Sequence, residues 1–194
     1  MRRTTTAICA LLLLIAACVA SEPEAPSPGK TTAATSSVPA TVTPAAASAS
    51  LAGVTVTGSA EGAPEGCTVE TVAERLVALA AAVNNADPNV VPAFFGTSDA
   101  TFEWYCMHDA GESFTATSLD ELDAYFRRRY EQHERWTLQS VQVNGWARGV
   151  LHFGPVVISH TADDFASTFE ALGKGAYSCE REQFVVLCLG EATE

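Results

Sequence analysis

The stretch that decides the fold is Trp136-Thr137-Leu138-Gln139-Ser140-Val141-Gln142-Val143-Asn144, in which apolar and polar side chains largely alternate. Alternation with a period of two is typical of a strand that buries one face of a sheet. A longer apolar-rich stretch, residues 147–160, follows directly after Gly145. We therefore predict a hairpin of two long strands joined at Gly145. Because Pro155 has no amide proton, we expect a bulge or a bend near Gly154-Pro155.

Further strands are predicted on both sides of this hairpin. Residues 174–180 and 183–190 form two apolar-rich stretches on its C-terminal side. On the N-terminal side, residues 101–107 alternate so that Trp104 and Tyr105 point to opposite faces of a strand. We expect the face that carries Tyr105 to be solvated.

Three helices are predicted before the hairpin. The first begins after Thr68, a good N-cap residue, and its apolar residues at helical spacing are Val69, Val72, Leu76, Leu79, Ala80 and Val83. A short second helix covers residues 88–95. The third begins at the capping box Ser118-Leu119-Asp120-Glu121 and runs to about Glu134. Its predicted buried stripe consists of Leu119, Leu122, Phe126, Tyr130 and His133.

The order of these elements, helices followed by a run of antiparallel strands, predicts an α+β fold. Residues 67–191 resemble exported members of the NTF2-like superfamily, also called SnoaL-like, in this order and in local motifs. The motifs are Phe102-Glu103-Trp104-Tyr105, Tyr125-Phe126…His133-Glu134-Arg135, Ala162-Asp163-Asp164 and Gly173-Lys174-Gly175-Ala176…Cys179. The resemblance implies an NTF2-like cone, with three N-terminal helices packed on a curved antiparallel sheet around a pocket. The residues expected to line this ligand pocket are Trp104, Tyr125, Tyr130 and Trp136.

The N-terminus has the layout of a secretory signal peptide. Arg2-Arg3 precedes an apolar run, residues 8–15, and small residues lead to a cysteine in Ala16-Ala17-Cys18. The apolar run is shorter than the about 20 residues that a permanent membrane-spanning helix requires. The small-small-Cys ending resembles the lipobox of bacterial lipoproteins, which implies a signal peptide over residues 1–17 and lipidation of Cys18.

A lipidated Cys18 implies stable attachment to a membrane surface, because lipoproteins carry more than one acyl chain. We therefore expect a location in the cell envelope, either on the outer face of the cytoplasmic membrane or at the outer membrane. Val19 in place of an acidic residue favours the outer membrane, by resemblance to known lipoproteins. The alternative is an ordinary cleaved signal in which Cys18 has no role.

Residues 18–66 consist mainly of Ala, Ser, Thr, Pro and Gly, with almost no large side chains. Such a segment cannot bury enough apolar surface to offset its chain entropy. We expect a disordered tether that spans about 40 Å as a flexible coil. Residues 51–57 alternate weakly, and a strand is the alternative there. The globular domain is expected over residues 67–194, which contain all three Trp residues.

The predicted domain is acidic, with eight Lys and Arg residues against nineteen Asp and Glu residues from Cys67 onward. An acidic surface gains nothing from contacts with phosphates, so we expect no nucleic acid partner. For the same reason, we do not expect the domain itself to dock directly on anionic lipid. Net charge of this kind promotes solubility.

Six cysteines are present, of which Cys9 lies in the predicted signal peptide and Cys18 is the lipidation site. The remaining four favour two disulfides outside the cytoplasm. A tight last hairpin would hold Cys179 too far from Cys188 for a bridge. Cys106 and Cys188 both lie in the middle of apolar strands that can be neighbours. We predict the pairs Cys67–Cys179 and Cys106–Cys188. The spacing lacks the C-x-x-C of zinc sites, so no metal and no cofactor are expected.

Acid–base chemistry in an NTF2-like pocket requires a carboxylate or a His–Asp pair with tuned pKa values. The catalytic candidates are His133, His160, Asp163 and Asp164. His160 and Asp163 are close enough in sequence to form a local pair, which would either order a turn or act as a dyad. Asp163 and Asp164 are expected to form a salt bridge with one of the arginines at 127–129. No G-x-S-x-G, H-E-x-x-H or P-loop spacing is present.

Three functions remain open at this point. The first is a non-catalytic, membrane-anchored module that binds a small apolar ligand or a protein partner. The second is a small acid–base enzyme of the isomerase or dehydratase kind, and the third is a homodimeric interaction module without a ligand. A pocket with a buried carboxylate beside a histidine favours the enzyme, an open apolar pocket favours ligand binding, and a filled interior favours the interaction module.

Overall fold

The computed structural model describes residues 51–97, 104–109, 112–165 and 167–191, and within them leaves the side chains of residues 104, 107–109, 112 and 169 undescribed. Cys18, the predicted signal peptide and most of the predicted tether lie outside these residues. The helices are α1 Val69–Asn84, α2 Val90–Phe94 and α3 Leu119–Glu131. The strands are β1 Thr55–Ser59, β2 Trp104–Asp109, β3 Glu112–Ala116, β4 Arg135–Ala147, β5 Val150–Thr161, β6 Phe169–Ser178 and β7 Gln183–Glu191. Within this described part, none of the helices has both the length and the apolar character needed to cross a membrane.

The described strands form one sheet in the order β1-β4-β5-β6-β7-β2-β3. Neighbours are antiparallel except β1 with β4 and β2 with β7, which run parallel. The predicted α+β fold is confirmed, but the sheet is mixed and not wholly antiparallel. Since β2 pairs with β7, the strand that follows α2 lies beside the last described strand.

Helix α1 begins where the sequence predicts it. The Thr68 hydroxyl accepts a hydrogen bond from the amide of Thr71 at 3.3 Å, and the Thr71 hydroxyl accepts one from the amide of Thr68 at 3.1 Å. This reciprocal capping satisfies two amide donors that the helix itself leaves unpaired. The face that packs on the sheet consists of Val72, Ala73, Leu76, Leu79, Ala80 and Val83.

Replacing Thr68 with alanine is expected to lower the free energy of unfolding by about 1 kcal/mol, because the N-cap acceptor is lost. Thr68→Ser is the matched control, since it keeps the hydroxyl and should stay within a few tenths of a kcal/mol of the wild type. Urea unfolding of both variants measures the difference. Equal stabilities of the two variants would contradict a capping role for Thr68.

The predicted hairpin is formed by β4 and β5, but the position of its turn was predicted wrongly. Ala147 pairs with Val150, so the two-residue loop is Arg148-Gly149 and not Gly145. Both loop residues have positive φ, 53° and 84°, as a type I′ turn requires to match the twist of the strands. Gly145 lies at a shift of the β4–β5 register instead, where it absorbs a bulge.

The predicted boundary between tether and domain at Cys67 is too late. Residues 55–59 form β1, which pairs with residues 140–144 of β4 in parallel register. Gly58 lies so close to the backbone of Val143 that any Cβ atom would overlap the Val143 carbonyl oxygen. The small side chains of this segment, which favoured a tether in the sequence, allow this close approach.

Tyr105 in β2 was predicted to be solvated, and this is wrong. It is fully buried, with its ring 5.9 Å from Phe95 and 5.5 Å from Tyr125. Alternation separates the two faces of a strand, but it does not say which face meets the helices. β3, which the sequence analysis did not assign, pairs with β2 at the edge of the sheet.

Candidate functional site

The C-terminus of α3 places the first group of candidate residues. The amide of His133 donates to the carbonyl of Tyr130, and the amide of Glu134 donates to that of Arg129. With φ of 52° at His133, this is a Schellman motif. His133 was predicted on the buried stripe of α3, and this is wrong, because it follows the helix end and its side chain is 72% exposed. Its Nδ1 lies 2.7 Å from a carboxylate oxygen of Asp163.

The same turn directs Glu134 into the interior, where its side chain is fully buried. Its Oε1 accepts a hydrogen bond from the indole nitrogen of Trp136 at 2.6 Å and lies 2.9 Å from Nδ1 of His160. Its Oε2 accepts a hydrogen bond from Nε of Arg129. Arg129 in turn donates to both oxygens of Asp164, at 2.8 and 2.9 Å. We call these five residues the Glu134 cluster.

Opposing effects act on the pKa of Glu134. Burial alone would raise it, but hydrogen bonds and charge from His160 and Arg129 outweigh burial and hold the pKa below its ordinary value. The pKa of Asp164 is lowered as well, mainly by its hydrogen bond from Arg129. Glu134 is therefore a carboxylate, which only accepts, so Nδ1 of His160 carries the proton of their hydrogen bond.

The structure separates the four catalytic candidates into different contacts. His160 pairs with Glu134, whereas Asp163 pairs with His133, so the predicted local pair of His160 and Asp163 is not formed. The predicted salt bridge between this loop and an arginine of α3 is confirmed, with Arg129 and Asp164 as partners. Sequence analysis missed Glu134 as a functional group, although its position just after a helix end and two residues before Trp136 was a usable signal.

The predicted ligand pocket is occupied by the side chains that were expected to line it. Tyr125 and Trp136 are buried, and the hydroxyl of the half-buried Tyr130 donates to the carbonyl of Asp87 at 3.0 Å. Phe126 lies at their centre. Its ring centroid is 5.6 to 6.3 Å from those of Phe95, Tyr105, Tyr125, Tyr130 and Trp136. The side chain of Trp104 lies outside the described residues. The space between helices and sheet is thus packed with aromatic rings.

The structure brings the four remaining cysteines together in the predicted pairs. Cys67, directly before the N-cap of α1, pairs with Cys179 in the turn between β6 and β7, with Cα atoms 5.9 Å apart. Cys106 of β2 pairs with Cys188 directly opposite on β7, with Cα atoms 4.5 Å apart. Both pairs lie within the range of Cα separations that disulfides adopt. In the described part of the chain, no group of three or more His, Cys, Asp or Glu side chains is arranged to hold a metal.

A concavity of about 710 Å³ lies on the face of the sheet that points away from the helices, which we call the outer face. Three basic side chains contribute to its lining, namely Arg148, His152 and Lys174. His152 is exposed and alternates with buried Leu151 and Phe153. Asn144, glycines and apolar side chains complete the lining, and none of the lining residues is acidic. Sequence analysis did not connect these three residues, because they come from a turn and two different strands.

The floor of this outer concavity is formed where β5 bends. The pairing of β5 with β6 passes from Phe153 opposite Gly175 to Val156 opposite Gly173, which confirms the predicted bulge at Gly154-Pro155. The peptide bond between these two residues is cis. Gly154 has φ of 145°, and a Cβ atom there would lie 2.8 Å from Cβ of Lys174. Glycine is therefore favoured at this position, because it tolerates the positive φ and leaves room for Lys174.

Comparisons with known proteins concern the fold. No protein-family profile matches the chain, and no curated protein matches it by sequence. A protein from Xanthomonas campestris described as a calcium/calmodulin-dependent protein kinase II association domain is similar in structure, with a TM-score of 0.52 and 15% identity, over 72% of this chain and 97% of its own. An NTF2-like protein from Shewanella oneidensis has a TM-score of 0.42 and 11% identity, over 62% of this chain and 97% of its own. The described helices and the mixed sheet of seven described strands thus form an α+β fold that is similar to the fold of the association-domain protein.

Proposed function

We propose that this protein is a non-catalytic binding module of the cell envelope. In this proposal the NTF2-like fold is a packed scaffold, Cys18 anchors the chain to a membrane, and the outer face of the sheet is the binding surface. The observation that carries the proposal is the concavity of about 710 Å³ on the outer face, which Arg148, His152 and Lys174 help to line. Aromatic rings around Phe126 occupy the part of the fold where the sequence placed the pocket, so the proposed binding surface lies elsewhere.

The arrangement of acid–base groups argues against the enzyme hypothesis. The Glu134 cluster contains a buried carboxylate beside a histidine, but both Glu134 oxygens already accept hydrogen bonds and both side chains are fully buried. A general base must reach the proton that it removes from a substrate. The side chains of the other pair, His133 and Asp163, are 72% and 62% exposed, so water has access to both. Buried ion pairs of the first kind occur in structural networks as well as in active sites.

The cysteine pairs support the envelope location. Disulfides persist in oxidising compartments outside the cytoplasm and are rare inside it. Both described cysteine pairs are at disulfide distance, which agrees with export by the predicted signal peptide. Because β1 begins at Thr55, the proposed connection to the membrane runs from Cys18 to about residue 54 and is shorter than the sequence predicted.

Lipid labelling tests the proposed anchor. The full chain is expressed in bacteria with an alkyne-tagged palmitate, and the labelled protein is detected after detergent phase separation. We expect the wild type in the detergent phase with label, and Cys18→Ser without label, because only Cys18 is the proposed acceptor. Cys9→Ser is the matched control and should be labelled like the wild type. Unlabelled wild-type protein in the cytosol with reduced thiols would overturn the proposal.

A homodimeric interaction module is the second candidate function, and one observation favours it. Leu172 on β6 is 45% exposed, which makes it the most exposed large hydrophobic side chain among the described residues. It alternates with buried Ala171 and lies two residues from Lys174, so it belongs to the outer face. Sedimentation velocity of the wild type and of Leu172→Gln distinguishes the candidates, since a dimer through this face would dissociate in the variant.

A further inference from the structure

We propose that the outer concavity binds a small soluble organic anion, a carboxylate carried on an apolar body. This inference rests on the proposed function and names the ligand class for the binding surface. The concavity has about 710 Å³, which is within the usual volume of small-molecule sites. Three properties of its lining lead to this ligand, namely unpaired positive charge, apolar walls and a preformed floor.

Among the described residues, no carboxylate pairs with the basic groups Arg148 and Lys174 of the concavity. In an acidic chain with a formal net charge of −12, Arg148 and Lys174 line a surface that has no acidic lining residue. Among the described residues, neither of them lies within ion-pair distance of a carboxylate, whereas Arg127 and Arg129 are both paired. Positive side chains that face a shared space without a counter-charge attract an anion to it.

Sheet register places the basic groups on one side of that space. His152 lies opposite Ala176 on β6, and Lys174 is two residues along the same strand, so it points to the same face. Diagonal neighbours of this kind are separated by about 7–8 Å, a distance that a carboxylate between them can bridge with two hydrogen bonds. Arg148 approaches from the turn between β4 and β5, and its guanidinium suits a carboxylate.

The remaining lining favours an apolar body on the ligand. Val150, Pro155 and Val186 contribute to the concavity beside the basic groups. An inorganic anion would leave these side chains in contact with water, whereas an aromatic or alkyl carboxylate would cover them. The combination of a few polar groups with apolar walls is typical of sites for small organic molecules.

The floor of the concavity is held in place before any ligand binds. The side-chain amide of Asn144 donates to the carbonyl of Gly154 at 2.6 Å, which links β4 to the bend in β5. Gly154 itself packs against the backbone of Gly173 and Lys174. Groups that are preorganised in this way lose less entropy on binding.

A soluble ligand fits the charge of the protein better than a lipid headgroup does. The chain as a whole is strongly acidic, so an anionic membrane surface would repel the domain. A small anion inside the concavity is close mainly to the positive charges of Arg148 and Lys174, whereas a membrane surface faces the whole acidic domain. We therefore commit to a soluble carboxylate.

Isothermal titration calorimetry tests the proposal. The sample is the full mature chain in phosphatidylcholine nanodiscs, and the heat measured with empty nanodiscs is subtracted. The probes are 4-butylbenzoate and its neutral counterpart 4-butylbenzamide, which differ in charge and share the apolar body. We expect the benzoate to bind about 10-fold more tightly than the benzamide, since charge-assisted hydrogen bonds distinguish them. Arg148→Gln and Lys174→Gln should each weaken the benzoate about 5- to 10-fold. Arg181→Gln, an exposed position in the turn between β6 and β7, is the matched control and should bind like the wild type.

The outcomes separate this inference from the proposed function. No binding of either probe overturns the anion site alone, because a packed, anchored scaffold does not depend on it. If both probes bind equally and the Arg148 and Lys174 substitutions do not change their affinity, both the anion site and the proposed function are overturned, because the probes then bind an apolar site in the interior. Loss of benzoate binding when phosphatidylglycerol is added to the nanodiscs also overturns the inference, since a lipid headgroup would then be the occupant.

Discussion

Replacing Cys67 and Cys179 together with alanine is expected to lower the free energy of unfolding by about 4–5 kcal/mol. The two cysteines are 112 residues apart in sequence, and closing a loop of about 100 residues in the unfolded chain is worth about 4.7 kcal/mol. In the folded protein the bridge ties the start of α1 to the turn between β6 and β7. The urea midpoint should fall by about 2 M, for a slope of about 2 kcal/mol/M.

The second pair provides the comparison for this experiment. Cys106 and Cys188 are 82 residues apart, so their replacement with alanine should cost nearly as much if loop closure is the main term. Urea unfolding followed by tryptophan fluorescence measures both double variants under the same conditions. A loss below about 1 kcal/mol for the Cys67 and Cys179 variant would show that this bridge does not hold the protein together.

Replacing Glu134 with glutamine is expected to lower the free energy of unfolding by about 3–5 kcal/mol, as for other buried ion pairs that lose one partner. The variant keeps the shape of the side chain but removes the negative charge that faces Arg129 and His160. Asp164, which also pairs with Arg129, is 41% exposed and is thus a weaker partner than Glu134. Glu131→Gln is the matched control, three residues earlier and exposed, and should change stability by less than about 0.5 kcal/mol.

The same variant gives a test of pH dependence. The folded protein holds the pKa values of Glu134 and Asp164 below their ordinary range. A lowered pKa contributes stability that is fully present above the unfolded pKa of about 4 and is lost as the pH falls through the folded value. The difference in stability between wild type and Glu134→Gln should therefore be constant from pH 7 to about 5 and shrink below about pH 4. A difference that grows on acidification would contradict the carboxylate assigned to Glu134.

Local chemistry was sufficient to predict several parts of the fold. The cap at Thr68, the apolar spacing of α1 and the bulge near Pro155 depend on residues within one or two turns of each other. The pairing of Cys106 with Cys188 was also predictable, because both lie in the middle of apolar strands. In the first three cases the interacting groups lie within one short stretch of sequence. In the last case, four cysteines allow only a few pairings.

Other parts depended on contacts between residues far apart in sequence. Tyr105 faces the core because α2 and α3 cover that side of β2, and alternation alone is the same for either side. β1 forms because β4 provides a parallel neighbour for residues with weak strand character of their own. The turn between β4 and β5 lies at Arg148-Gly149 because positive φ at both positions matches the strand twist, while Gly145 is used in a bulge.

By itself, the sequence determined the helices, the long strands, the cysteine pairs and the acidity of the chain, since these follow from spacing and composition. Only the tertiary structure decided that the interior is filled by aromatic rings and that Glu134 forms the centre of a buried cluster. It also decided that Arg148, His152 and Lys174 share one outer concavity. The physical reason is that strand register brings these side chains together, and register depends on pairing between strands that are far apart in the sequence.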